Sequence, residues 1–129
     1  MWSHPTFLKR CEEWRQKNTE PPLKEGTRIA RGFADLGYEE FVLLPGKKLL
    51  SLYSGTLTQF PEEHAHFFFP VPSADEMVED IERKGFDIVS LEYRDQRTWV
   101  ATMEDCKSHK RSVFEGGTLE IVLITALMA

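Results

Sequence analysis

Apolar residues near the start of the chain have the spacing of a helix. Phe7, Cys11 and Trp14 recur at i, i+4 and i+7, and Leu8 widens the apolar face that they form. This spacing predicts a helix over residues 4–17 with one apolar face, and Ser3 can serve as its N-cap. A double proline follows and ends the helix. The pattern therefore predicts a helical arm (residues 1–20) that an extended connector joins to a body (residues 21–129).

Residues 27–36 have an apolar pattern that fits either a helix or a strand. Ile29, Phe33 and Leu36 have helical spacing, and Gly37 can end a helix in the left-handed conformation. We expect a helix here, with a strand as the alternative.

After this segment the pattern changes to short apolar runs separated by turn residues. Pro45 and Gly46 form a pair typical of the centre of a type II turn, so the runs on either side predict a hairpin. Strands are predicted at residues 41–44, 49–53 and 66–69, and a strand or a loop at residues 56–60.

A helix over residues 74–84 has the clearest local signals in the chain. Ser73 and Glu76 have the spacing of a capping box, and Gly85 is a typical stop residue. Three apolar residues form its inward stripe: Met77, Val78 and Ile81. A second hairpin should follow, with strands at residues 86–93 and 98–104 around a polar turn.

The last apolar run, residues 119–127, is almost continuous and rich in β-branched residues. It predicts an interior strand covered on both faces. A strand this apolar should be paired on both sides, by its own sheet or by a second subunit. Glu120 should face solvent near the start of the strand, and a pair with Arg97 or Arg31 is the alternative.

These elements together predict an α+β protein. Its sheet should be mostly antiparallel, with about five or six strands and helices on one face, as in ferredoxin-like or related sandwiches, plus the N-terminal helix. Eleven residues should form one largely buried core: Phe41, Leu43, Phe67, Phe69, Met77, Ile81, Val89, Leu91, Val100, Ile121 and Leu123.

Composition narrows the class of protein. A length of 129 residues predicts one domain, residues 1–129, and the 16 basic and 21 acidic residues give a net charge of −5. No apolar run approaches the ~18 residues of a membrane span, so no membrane partner is expected. The two cysteines form no framework pattern and the first residues do not resemble a leader, which predicts a cytoplasmic protein.

Four residues have the chemistry of zinc ligands. His64 and His66 would share one face of a strand, and Cys106 and His109 could complete a tetrahedral set. The two pairs lie far apart in the sequence, whereas structural zinc sites have tighter paired spacing. We therefore expect solvated histidines, no tightly bound metal and no cofactor.

The basic segment after Cys106 allows two further interpretations. Lys107, Lys110 and Arg111 could lower the pKa of the Cys106 thiol, whereas Cys11 lies on an apolar stripe, where a cysteine packs as a small apolar residue. The same three basic residues could bind single-stranded nucleic acid beside stacking aromatics, namely Phe68, Tyr93 and Trp99. The negative net charge makes nucleic acid an unlikely partner.

The sequence contains none of the common catalytic motifs, and no catalytic residue is assigned. We expect a small binding or regulatory protein that acts through contacts with another protein or with its own copy. The anchors of a two-fold interface would be the helix residues Phe7, Leu8, Cys11 and Trp14; alternatively, they seal the protein's own core. A metal-dependent or thiol enzyme using His64, His66, Cys106 and His109 is the second hypothesis, and a nucleic-acid binder is the third.

Overall fold

The computed structural model describes residues 3–17, 23–33 and 37–129. The chain divides into two compact units, Met1–Pro72 and Ser73–Ala129. The predicted α+β class is confirmed, with antiparallel strands in a five-stranded and a three-stranded sheet. Whether the chain acts as one domain stays a prediction. Among the described residues, no helix is both long and apolar enough to cross a membrane.

The described residues of the first unit form one α-helix, one 3₁₀-helix and five strands. In chain order they are α1 (Pro5–Lys17), β1 (Arg28–Gly32), β2 (Tyr38–Leu44), β3 (Lys48–Ser51), β4 (Leu57–Gln59), the 3₁₀-helix (Glu62–Phe67) and β5 (Phe68–Pro70). The strands pair antiparallel in the order β4-β3-β2-β1-β5. The predicted hairpin around Pro45 and Gly46 is confirmed, and residues 57–59 form a short strand.

Different elements cover the two faces of the five-stranded sheet. One face carries an apolar cluster against which Ala65 of the 3₁₀-helix packs, formed by Ile29, Phe41, Leu43, Leu49, Phe60 and Phe68. Side chains alternate between the two faces along a strand, so Tyr38 and Glu40 of β2 lie on the opposite face from Phe41. There Tyr38 Oη donates a hydrogen bond to Glu12 of α1, and Glu40 accepts two hydrogen bonds from Ser3, which lies two residues before α1.

Helix α1 is confirmed, but its predicted cap is wrong. The hydroxyl of Ser3 donates to Glu40 and is therefore turned away from the helix backbone. His4 takes the capping position: its Nδ1 accepts a hydrogen bond from the Thr6 backbone at 3.1 Å, and its carbonyl accepts the first helical bond from Leu8. The connector predicted after the helix lies outside the described residues at positions 18–22.

The helix predicted over residues 27–36 is wrong for the part that the structure describes. Residues 28–32 form strand β1, which pairs with β2 on one side and β5 on the other. Ladder bonds with two partners distant in sequence therefore override the helical spacing of three apolar residues. Gly37 does adopt a positive φ of 85°, in the connection between β1 and β2. Residues 34–36 lie outside the described part.

The second unit contains two α-helices and three strands. In chain order they are α2 (Ala74–Arg83), β6 (Phe86–Arg94), β7 (Thr98–Asp105), β8 (Arg111–Gly116) and α3 (Leu119–Met128). The strands form an antiparallel sheet in the order β6-β7-β8. Helix α2 packs against β6, and α3 packs against β7, β8 and α2. The predicted second hairpin is confirmed, whereas β8 was not predicted.

Helix α2 confirms its sequence signals. Ser73 Oγ accepts from the Glu76 backbone and the Glu76 carboxylate accepts from the Ser73 backbone, which completes the capping box. Met77 and Ile81 are buried. Gly85 follows the helix with φ 94°, a conformation that L side chains rarely adopt.

The strand predicted over residues 119–127 is wrong, because this segment forms α3. Thr118 Oγ1 accepts from the Ile121 backbone at the helix start, and Lys84 Nζ donates to the Leu127 carbonyl near its end, at 2.8 Å. An all-round apolar helix fits a segment that is buried on several sides. Glu120 is exposed in the first turn, where a carboxylate suits the helix dipole, so its predicted solvent exposure is confirmed.

The predicted core is correct in part. Seven of its residues are buried: Phe41, Leu43, Phe69, Met77, Ile81, Val100 and Leu123. Phe67, Val89 and Leu91 are exposed, and Ile121 is half-buried. Phe67 ends the 3₁₀-helix instead of lying in β5, while Val89 and Leu91 lie on an edge strand, so none of the three has a neighbour on every side.

Candidate functional site

The four residues predicted as interface anchors are buried on α1. Phe7, Leu8, Cys11 and Trp14 are each at most 4% exposed, and α1 packs against β5 of its own unit. The alternative given by the sequence, a helix that seals the protein's own core, is the arrangement that the structure shows. These side chains therefore offer no surface to a second molecule while α1 is docked.

A buried carboxylate lies beneath α1 and was not identified from the sequence. Glu40 is fully buried, and its oxygens accept from the Ser3 backbone at 2.6 Å and from the Ser3 hydroxyl at 3.2 Å. Arg28 lies 3.8 Å from the same carboxylate. Burial, together with the negative charge of Glu40, raises the pKa of the Cys11 thiol well above its usual range. The group thus fixes α1 to the sheet and leaves Cys11 unreactive.

The predicted histidine pair lies on the 3₁₀-helix rather than on a strand. The ring centroids of His64 and His66 are 5.7 Å and 4.1 Å from that of Phe67. Both histidines are exposed. Their common neighbour is therefore an aromatic ring, and the reasoning that placed them on one face of a strand does not apply.

Cys106 and His109 lie in the second unit, around the turn that follows β7. The carboxylate of Asp105 accepts hydrogen bonds from the Lys107 and Ser108 backbones, which lower its pKa. His109 Nδ1 is 3.7 Å from Glu104. In the part of the chain that the structure describes, no three histidine, cysteine, aspartate or glutamate side chains come together as metal ligands would.

The pKa of the Cys106 thiol shifts in the opposite direction from the one that the neighbouring basic residues could produce. Desolvation of the sulfur and a hydrogen bond to the Asp87 carboxylate raise the pKa of this thiol. The carboxylates of Asp105 and Glu104 act in the same direction. The surrounding acidic groups thus outweigh the lysines that follow in the sequence.

The residues of the predicted nucleic-acid site differ in their exposure and their partners. Lys107 and Lys110 are exposed, but Arg111 Nε donates to Glu104 at 3.2 Å. Phe68 belongs to the core of the first unit and is 3% exposed, so its ring is not open to a base. Only Tyr93 and Trp99 lie together, with ring centroids 5.3 Å apart.

An arginine among aromatic rings lies close to the histidine pair. The guanidinium carbon of Arg31 is 4.5 Å from the ring centroid of Phe33, 5.1 Å from that of Phe67 and 5.6 Å from that of Phe68. All three distances are within the range of cation–π attraction. Pairing of β1 with β5 produces this cluster, because it places Arg31 opposite Phe68.

Strand β6 carries three exposed apolar residues along a sheet edge, of which Leu91 and Tyr93 share one face. Val89, Leu91 and Tyr93 are 46%, 38% and 59% exposed. The ladder with β7 shifts register between Ile88 and Ser90, so a bulge lies at Val89. Beyond the bulge the pairing is regular as far as Arg94.

Comparisons of the chain with models of protein families, with curated proteins and with solved structures found no match.

Proposed function

We propose that this protein works through protein contacts, and that its contact surface is the edge of strand β6, which pairs with β6 of a second copy. The observation that supports this most directly is that Val89, Leu91 and Tyr93 are exposed apolar residues on an edge strand. The buried helix α1 is not part of this surface. The proposal keeps the class of function predicted from the sequence and assigns it to different residues.

Of the sheet edges in the described chain, β6 is best suited to pairing. It has nine residues and no proline, whereas β4 and β5 have three residues each and β5 ends in Pro70. Strand β8, the opposite edge of the same sheet, has six residues. Within the described residues, the ladder with β7 accounts for all backbone hydrogen bonds of β6 to other elements. A long, apolar, unpaired edge is a template for another strand.

Charge complementarity selects the register. The bulge at Val89 restricts regular pairing to the stretch that starts at Ser90. Antiparallel pairing centred on Tyr93 aligns residues 92–94 of the two copies, so each Glu92 lies opposite Arg94 of the second copy and the two Tyr93 rings lie side by side. A register centred on Glu92 would oppose like charges. The exposed Glu92–Arg94 contact within one chain, at 3.2 Å, contributes little and can be exchanged.

Sedimentation equilibrium tests the surface. The mass should rise with concentration from 15.0 kDa towards twice that value. Tyr93→Lys should abolish association, because a lysine on an edge strand opposes pairing. Val113→Lys is the matched control on the β8 edge, where the side chain is equally exposed, and it should associate as the parent does. A mass of 15.0 kDa at every concentration, or equal loss in both variants, refutes the proposal.

Cysteine cross-linking tests the register. In a Cys106→Ser background, Tyr93→Cys should form a disulfide-linked dimer under mild oxidation, since directly opposed Cβ atoms lie about 4.5–5.5 Å apart. The matched variant Leu91→Cys should form no disulfide-linked dimer, because the two cysteines would then be about 13 Å apart along the strands. Faster cross-linking through Leu91→Cys contradicts the register.

A further inference from the structure

The guanidinium of Arg31 has no negative partner in the described chain. None of the described carboxylates lies within 4.0 Å of it, and its buried Nε has no hydrogen-bond partner. The carboxylate nearest in the ladder is that of Glu39, opposite Arg31 in β2, but it accepts a hydrogen bond from Ser51 Oγ at 2.7 Å. An arginine donor that is removed from water without a partner is costly, so an unused donor here calls for a ligand.

The surroundings of Arg31 combine apolar contact with access from solvent. Phe67, whose ring lies 5.1 Å from the guanidinium carbon, is 47% exposed. Its ring is flanked by His64 and His66, which are both exposed and can donate hydrogen bonds to an anion. A ligand bound to Arg31 would therefore lie against an aromatic wall.

The nearby acidic groups do not all compete for Arg31. Glu62 lies on the 3₁₀-helix that ends at Phe67, and Lys47 binds its carboxylate at 2.7 Å, so the charge of Glu62 is already neutralised. Glu63 is exposed on that helix. Arg28 lies on the same strand but, at a spacing of three residues, on the opposite face, where it pairs with Glu40. Of the two β1 arginines, Arg31 is the one for which the described residues offer no carboxylate within 4.0 Å.

We propose that Arg31, Phe33 and Phe67 form a binding site for a small carboxylate that carries an apolar or aromatic group. The planar guanidinium would bind the carboxylate with paired N–H donors, and the exposed Phe67 ring would pack on the apolar part. Inorganic phosphate lacks an apolar part and gains nothing from the Phe67 ring, so the aromatic surroundings favour a carboxylate over a phosphate. This site is independent of strand β6 and of the self-association proposed above.

Titration with benzoate, followed by NMR, tests the site directly. The Nε–Hε resonance of Arg31 should shift and saturate, with a dissociation constant on the order of 10 mM, as expected for a ligand of this size. Arg31→Lys should weaken binding by about fivefold or more, because lysine lacks the planar fork. Arg28→Lys is the matched control on the same strand and should bind benzoate as the parent does.

A second variant separates loss of the site from loss of the fold. Phe67→Ala changes an exposed side chain and should leave the melting temperature nearly unchanged. It should weaken benzoate binding several-fold while leaving acetate binding unchanged. The proposal is overturned if benzoate gives no saturable shift, if phosphate binds as tightly as benzoate, or if Phe67→Ala has no effect on benzoate.

Discussion

Truncation of Leu8 measures how much α1 contributes to the stability of its unit. Leu8 is 1% exposed, so Leu8→Ala removes three carbons that are almost completely withdrawn from water. At about 0.8 kcal/mol per methylene the lost transfer free energy is about 2 kcal/mol. The cavity left beneath the helix adds to this, and buried leucine-to-alanine changes span about 2–5 kcal/mol. We expect the free energy of unfolding to fall by about 3 kcal/mol.

Urea denaturation at two protein concentrations provides the assay. Leu57→Ala is the matched control, because Leu57 is 52% exposed and its truncation should change stability by less than about 0.5 kcal/mol. The difference in the free energy of unfolding between Leu8→Ala and the parent should be the same at both concentrations if α1 packs on its own chain. A loss below about 0.5 kcal/mol would refute the packing of α1, and a loss that depends on concentration would indicate an arm exchanged between copies.

Two further predictions follow from titratable groups. A thiol reagent should label Cys106 but not the buried Cys11 in the folded protein. Asp87→Asn should speed this labelling because it lowers the pKa of the Cys106 thiol, and Glu92→Gln is the control that should label as the parent does. Equal labelling rates in all three proteins would contradict the role of Asp87. Burial and the hydrogen bond to Glu12 raise the pKa of Tyr38 from 10.0 to about 12. The folded state therefore holds this proton more tightly than the unfolded state, so the stabilisation is complete below pH 10 and is lost as the pH rises to about 12. Tyr38→Phe should flatten this part of the pH profile of the unfolding free energy, and an unchanged slope would contradict the assignment.

Elements with local signals could be predicted from the sequence, and elements that depend on distant partners could not. Helix α2 has its cap, stripe and stop within a dozen residues, and all three appear in the structure. The helical spacing of apolar residues in β1 is coincidental. The segment is a strand because it pairs with β2 and β5, where Phe41 and Phe69 lie beside it in the sheet. Segment 119–127 has no polar face, so its periodicity could not separate a buried strand from a buried helix. Its length and Thr118 were the signals that favoured a helix.

The same distinction applies to the candidate sites. Predicting the exposed apolar residues on β6 would have required knowing which strand lies at the edge of the sheet. The order β6-β7-β8 depends on strand β8, which was not predicted. Predicting the cluster around Arg31 would have required the pairing of β1 with β5. Phe33, two residues after Arg31 in the sequence, was a local signal for part of the cluster. The basic segment was visible in the sequence, but the neutralising role of Glu104 was not.

The boundary at Pro72 and Ser73 has a consequence for how the two sheets depend on each other. Every ladder among the described residues joins strands from the same side of this boundary. Neither sheet therefore borrows a strand from the other, and the order of strands in each is set within one continuous segment of sequence. Insertions or deletions at this boundary would leave the partner of each strand unchanged. The backbone pairing of the chain is thus modular, with each half of the sequence encoding its own complete set of strand partners.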